Sequence, residues 1–195
     1  MGEDRGVKLG VNKKTGEIEF KGNNDNAKFS KTGRDEIMKM VTGKGQVTVD
    51  FTTSRSSQTE GNNIYLNPSQ IDRLINGASS DLNSSTASYG MVTLHEYNHT
   101  DVGGAQRHGQ MQFGTIDRPD IVGNQIRNEM SAATGTNWGQ RESYSMMSIN
   151  GTMYMPLSSQ SQNQIQFAKR YEGTWQGFLM YQPPTTSVIT MPPEL

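Results

Sequence analysis

The 195-residue chain has no cysteine, which excludes disulfide frameworks, thiolate metal sites and thiol nucleophiles. Any metal it binds must rest on histidine and carboxylate side chains. A charge excess is also missing: 18 Lys and Arg against 19 Asp and Glu give a formal net charge of −1, without the basic surplus that a phosphate backbone demands. Nucleic acid is therefore not an expected partner. No apolar run approaches the roughly 20 residues that span a bilayer. The opening residues, Met1-Gly-Glu-Asp-Arg, hold no apolar stretch of signal-peptide length. The expectation is a protein without a membrane span, either cytoplasmic or secreted by a route independent of a signal peptide.

Hydrophobic residues make up only 32% of the chain, and one third of it is Ser, Thr, Asn or Gln. A chain of this length still has enough residues to bury one core. Residues 1–195 accordingly read as a single domain, with 183–195 as an extended Pro-rich tail. Ile18 and Phe20 alternate with charged neighbours and predict a strand over 16–21, and Val47, Val49 and Phe51 predict another over 46–52. Shorter strands are expected over 63–66 and 153–157. Helices are expected over 34–41, from the Asn67-Pro68-Ser69 cap to Gly77, from Tyr89 to the Gly103-Gly104 pair, and from Asp117-Arg-Pro-Asp120 to Gly135. A last short helix is expected over 164–171. The pattern is that of an α+β domain with a small sheet.

The segment that carries chemistry is His95-Glu96-Tyr97-Asn98-His99. On a helix, histidines four residues apart present their imidazoles to one ion from the same face, with the glutamate beside it. Zinc in such a position acidifies a water and polarises a carbonyl, while the glutamate takes the proton of the water as it attacks. With three histidines and ten glutamates in the chain, random order would give this motif with a chance of about 0.0016. Ser88, Val92, His95 and His99 share one helical stripe, with Met91 and Leu94 widening its apolar side.

A catalytic zinc takes three protein ligands and keeps one open position. The extended pattern H-E-x-x-H-x-x-G-x-x-H fails, because Val102 and Ala105 stand where Gly and His are required. Asp101 follows His99 by two residues, about 200° round a continuing helix. His108, the one remaining histidine, lies in a Gly- and Gln-rich segment, and Asp117 is a further carboxylate. Glu129 leads as third ligand: Val122, Ile126, Glu129 and Ala133 follow helical steps of four, three and four. A carboxylate on that buried stripe needs a metal or a charge partner such as Arg127 or Arg141. Asn128-Glu129-Met-Ser-Ala132 also resembles the segment that supplies the third ligand in thermolysin-like zinc peptidases. The oxyanion of the transition state needs a donor besides the metal. Tyr144, close behind Arg141, leads there, with Tyr154 and His108 as alternatives.

Together, 89–104 with its H-E-x-x-H core, Phe113-Gly114, 124–129 and 139–144 resemble the C-terminal toxin domains of bacterial Rhs-type polymorphic toxins. The resemblance covers about 62–144. It implies a zincin-like zinc metallopeptidase effector, delivered into a target cell and countered by a cognate immunity protein. In that family's pattern His95, Glu96 and His99 carry over directly. The leading expectation is thus a zinc endopeptidase acting on a protein or peptide, with Glu96 as general base. A non-catalytic binding module with a structural metal, or a zinc amidase acting on a non-peptide or cell-wall amide, are the alternatives. An extended substrate is expected to pair with a sheet edge, the strand over 63–66.

Overall fold

The histidine-bearing helix lies on a small sheet whose central strand buries Ile64 and Leu66. The computed structural model describes residues 9–15, 18–20, 30–78, 82–106, 116–141, 147–149, 152–158 and 186–191. Strands β1 (Leu9–Val11) and β2 (Ile18–Phe20) form an antiparallel pair ahead of helix α1 (Lys31–Thr42). Helix α1 begins three residues before the expected 34, because the Ser30 side chain accepts a 2.8 Å hydrogen bond from the Gly33 amide and caps the helix there. Strands β3 (Thr48–Phe51), β4 (Gln58–Glu60) and β5 (Asn63–Leu66) follow. They assemble in the order β3-β5-β4, with β3 parallel and β4 antiparallel to β5. The strand expected to be the edge is therefore the centre. β5 carries the most apolar short run, Ile64-Tyr65-Leu66, and a strand buried among neighbours needs that composition more than an edge does.

Asn67 caps helix α2 (Pro68–Asn76) through its side chain, with Pro68 at the first helical position. A short 3-10 helix, Ser84–Ala87, leads into α3 (Tyr89–His99), and α4 (Arg118–Thr134) ends on Gly135 in the left-handed conformation, φ 68°. Helix α3 stops at His99, short of the expected Gly103-Gly104 pair. The Thr100 hydroxyl bonds the Tyr97 carbonyl and accepts from the Gly103 amide, so the chain turns at once. In the last sheet, β8 (Thr152–Ser158) pairs antiparallel with β6 (Gln140–Arg141), β7 (Met147–Ile149) and β9 (Thr186–Met191). The expected tail thus contributes a strand: Val188, Ile189 and Met191 give 186–191 enough β-forming character to pair with β8. The helix expected over 164–171 lies outside the described residues.

Three apolar clusters hold these elements. Met91 and Leu94 of α3 meet Ile126 and Met130 of α4, with Trp138 beside them. Tyr97 of α3 packs with Ile64, Leu66 and Ile71, and Leu157 of β8 packs with Leu74, Leu82 and Ala87. Helix α3 is thereby clamped between the β3-β5-β4 sheet and α4. Each fully buried side chain of this kind contributes about 1.5–3 kcal/mol relative to exposure. Among the described residues no helix is long and apolar enough to cross a membrane. The architecture is α+β.

Candidate metal centre

Apolar anchoring on two sides leaves His95 and His99 half-buried on the remaining face of α3. Their Nε2 atoms lie 3.3 Å apart, with the rings edge to face at 75°. The other nitrogen of each ring faces an oxygen. Nδ1 of His99 is 2.5 Å from the carbonyl oxygen of Gln106. That carbonyl can only accept, so Nδ1 carries a hydrogen, which in the neutral ring leaves the lone pair on Nε2. Nδ1 of His95 faces the Asp120 carboxylate at 3.6 Å. Two ligands on a tetrahedral zinc, each about 2.05 Å from the ion, stand about 3.3 Å apart. The two nitrogens therefore fit adjacent positions of such a coordination shell.

The tie to Gln106 depends on a tight fold-back after α3. The Gln106 amide donates to the Asn98 carbonyl and the Ala105 amide to the Thr100 carbonyl, so residues 100–106 curl over the end of the helix. A Cβ on Gly103 would stand 1.8 Å from the Tyr97 carbonyl oxygen, and only glycine admits that approach. Gly103-Gly104, read from the sequence as a helix stop, instead lets the chain return to His99.

Behind His95 lies a buried polar network. Asp120, 1% exposed, accepts a 2.8 Å hydrogen bond from Nη1 of Arg141. Asn124 grips the backbone of Arg141 from both sides, accepting from its amide and donating to its carbonyl. Arg127 donates to Thr86 through Nε and Nη2 and to Asn124 through Nη1. Burial pulls its guanidinium down to about 10, with repulsion from Arg141 adding to the shift and Asp120 opposing it.

Glu96 is buried beside the histidines, and its Oε2 accepts a 2.8 Å hydrogen bond from the Thr59 hydroxyl of β4. Burial raises its carboxyl above the usual value. The Thr59 bond, the His99 ring in its protonated form and the Arg141 charge pull against that rise.

The leading third ligand is not brought to the histidines. Oε2 of Glu129 accepts from the Ser30 hydroxyl and the Thr32 amide at 2.7 and 2.8 Å, and Oε1 accepts from the Thr32 hydroxyl and Gln125. The side chain serves the N-terminus of α1. Slight burial raises its carboxyl, and these hydrogen bonds outweigh it, holding the group at about 2. The apolar stripe misled because the buried face of α4 mixes apolar and polar residues: Asp120, Asn124 and Arg127 are buried with Ile126 and Met130, whereas Ala133 is exposed. Asp101 falls in the exposed turn after α3, and Asp117 stands at the N-terminus of α4. His108 and Tyr144 lie outside the described residues, and Tyr154 sits on β8. Among the described residues, no group of three or more His, Asp or Glu side chains is gathered to hold a metal ion. Asp120, the Gln106 carbonyl and Thr59 were not foreseen; of these only Asp120, as an acid in the first turn of α4, left any trace in the sequence.

Comparison with family models, with curated proteins and with solved structures finds no match to this chain.

Proposed function

We propose that the protein is a metal-dependent peptidase, with His95 and His99 as metal ligands and Glu96 as general base. The observation that carries this reading is the 3.3 Å approach of the two Nε2 atoms while each Nδ1 faces an oxygen acceptor. With the hydrogen of each neutral ring on Nδ1, the lone pairs of the two Nε2 atoms would converge on one point, where a cation would be held by both. Zinc, which suits imidazole donors, would supply acidification of a water and polarisation of the scissile carbonyl.

The chain's own residues account for the rest. Glu96 accepts the proton of the attacking water and later delivers it to the leaving amine. Its burial favours that duty, since a raised carboxyl holds a proton more readily. β4 is the outer strand of its sheet among the described residues and is joined to Glu96 through Thr59. An extended peptide pairing along β4 would lie beside the base. A zincin-like fold is part of the same proposal, supported by a three-stranded sheet packed against an H-E-x-x-H helix.

The resemblance of 89–104 and its neighbouring segments to Rhs-type toxin domains extends the proposal to biology. The protein would act as an effector on a target protein inside a recipient cell, held in check by an immunity protein.

The test is zinc binding and peptide hydrolysis by the parent protein and by Glu96→Ala. The variant should retain the metal and lose at least about 100-fold in kcat, the usual scale for removing a general base. Chelator should lower the melting temperature of both, since metal at 100 times Kd stabilises the fold by about 2.7 kcal/mol. Hydrolysis by Glu96→Ala at the parental rate would end the reading.

A further inference from the structure

Thr59 reaches Glu96 from an element 37 residues earlier in the chain. The register of the sheet explains how. Thr59 pairs with Ile64, so the two side chains share one face, and Ile64 is fully buried against Tyr97 of α3. Thr59 therefore points at α3, while its neighbours Gln58 and Glu60 point to the opposite face. Its Oγ1 lies 2.8 Å from Oε2 of Glu96 and 2.9 Å from the carbonyl oxygen of the same residue. An ionised carboxylate and a carbonyl both accept, so the single hydroxyl hydrogen is shared between them.

We propose that Thr59 is the positioning residue of the general base, fixing which oxygen of Glu96 takes the proton of the water. The proposal rests on the peptidase reading given above. A carboxylate otherwise has two equivalent oxygens and a broad terminal torsion. The Thr59 bond removes that equivalence: Oε2 is held by β4, and Oε1 is the oxygen Thr59 does not bond. In the chemical step the O–H bond of the water breaks, its proton goes to Oε1, its electron pair forms the new C–O bond to the scissile carbon, and the π pair of the carbonyl moves onto its oxygen. Oε2 remains an acceptor whether or not Oε1 carries that proton. The Thr59 bond thus persists through the transfer, and the base does not reorient between taking the proton and returning it.

Threonine suits the task on two counts. Its branched Cβ restricts χ1, so the hydroxyl is aimed before substrate arrives. Its place on the outer strand also couples the base to the edge along which an extended peptide would pair. Pairing on β4 would stiffen the strand that holds Glu96.

The experiment compares Thr59→Val, which keeps the shape and removes the hydroxyl, with Thr59→Ser, which keeps the hydroxyl. Thr59→Val should lower kcat about tenfold, a typical scale for one lost catalytic hydrogen bond, with KM and zinc affinity within about twofold of the parent. Thr59→Ser should recover most of the loss. A second measurement does not use activity: a stability cycle of Thr59→Val, Glu96→Ala and the double variant in metal-free protein. The cost of Thr59→Val should be smaller when Glu96 is already alanine. Parental kcat in Thr59→Val, or strictly additive costs in the cycle, would overturn the proposal. If the parent hydrolyses no peptide, the peptidase reading fails, while coupling in the cycle still supports Thr59 as the residue that positions Glu96.

Discussion

Oδ1 of Asp120 stands 3.6 Å from Nδ1 of His95, on the ring edge opposite the one that faces His99. In the proposed metal site a carboxylate behind the His95 ring would orient it and raise its basicity. Arg141 holds that carboxylate in turn, at 2.8 Å.

Replacing Asp120 with Asn should therefore weaken zinc binding about 10–100-fold, the usual range for an outer partner of a metal ligand. Titration against a competing chelator measures this directly. A variant that binds zinc as the parent does would show that Asp120 serves the fold alone.

Gly103→Ala should disturb the site from a distance. The added Cβ meets the Tyr97 carbonyl, so residues 103–106 must shift, and the Gln106 carbonyl moves off His99. The expected result is a destabilisation of about 1–3 kcal/mol, as for other forced clashes, together with weaker zinc binding. Denaturant unfolding and chelator titration report the two effects separately.

Glu129 predicts a pH dependence. Its folded-state value of about 2 lies below the ordinary value near 4.3 for glutamate. The group therefore adds stability that is fully present above about pH 4.3 and is lost as the pH falls towards 2. Glu129→Gln should flatten the loss of stability across that window and leave zinc affinity unchanged. A large drop in zinc affinity would return Glu129 to the ligand set.

How much of this was legible in the sequence follows from the range of the forces involved. Caps and periodicity are local, and they gave α2 and β5 at their bounds and α4 to within a residue. The H-E-x-x-H spacing is local too, and it foretold the pairing of the two imidazoles. β4 was missed because Gln58-Thr59-Glu60 holds no apolar residue to alternate. Its strand character comes from pairing with β5. Glu129 was misjudged because apolar spacing marks the inner face of a helix only when that face is apolar. In α4 the inner face carries Asp120, Asn124 and Arg127, whose mutual hydrogen bonds make their burial tolerable. Nothing along the chain states that 59, 106 and 120 converge on 95–99, since each contact is set by packing.

That convergence bears on how the protein acquires its competence. Helix α3 holds both imidazoles and the acid in eleven residues, yet the groups that orient them arrive from β4, from the turn beyond the helix and from α4. Loop-closure entropy makes such distant contacts slow to form. A nascent chain would bear the motif before the groups that orient it are in place, and under the proposed metal site ion uptake would come among the final events of folding.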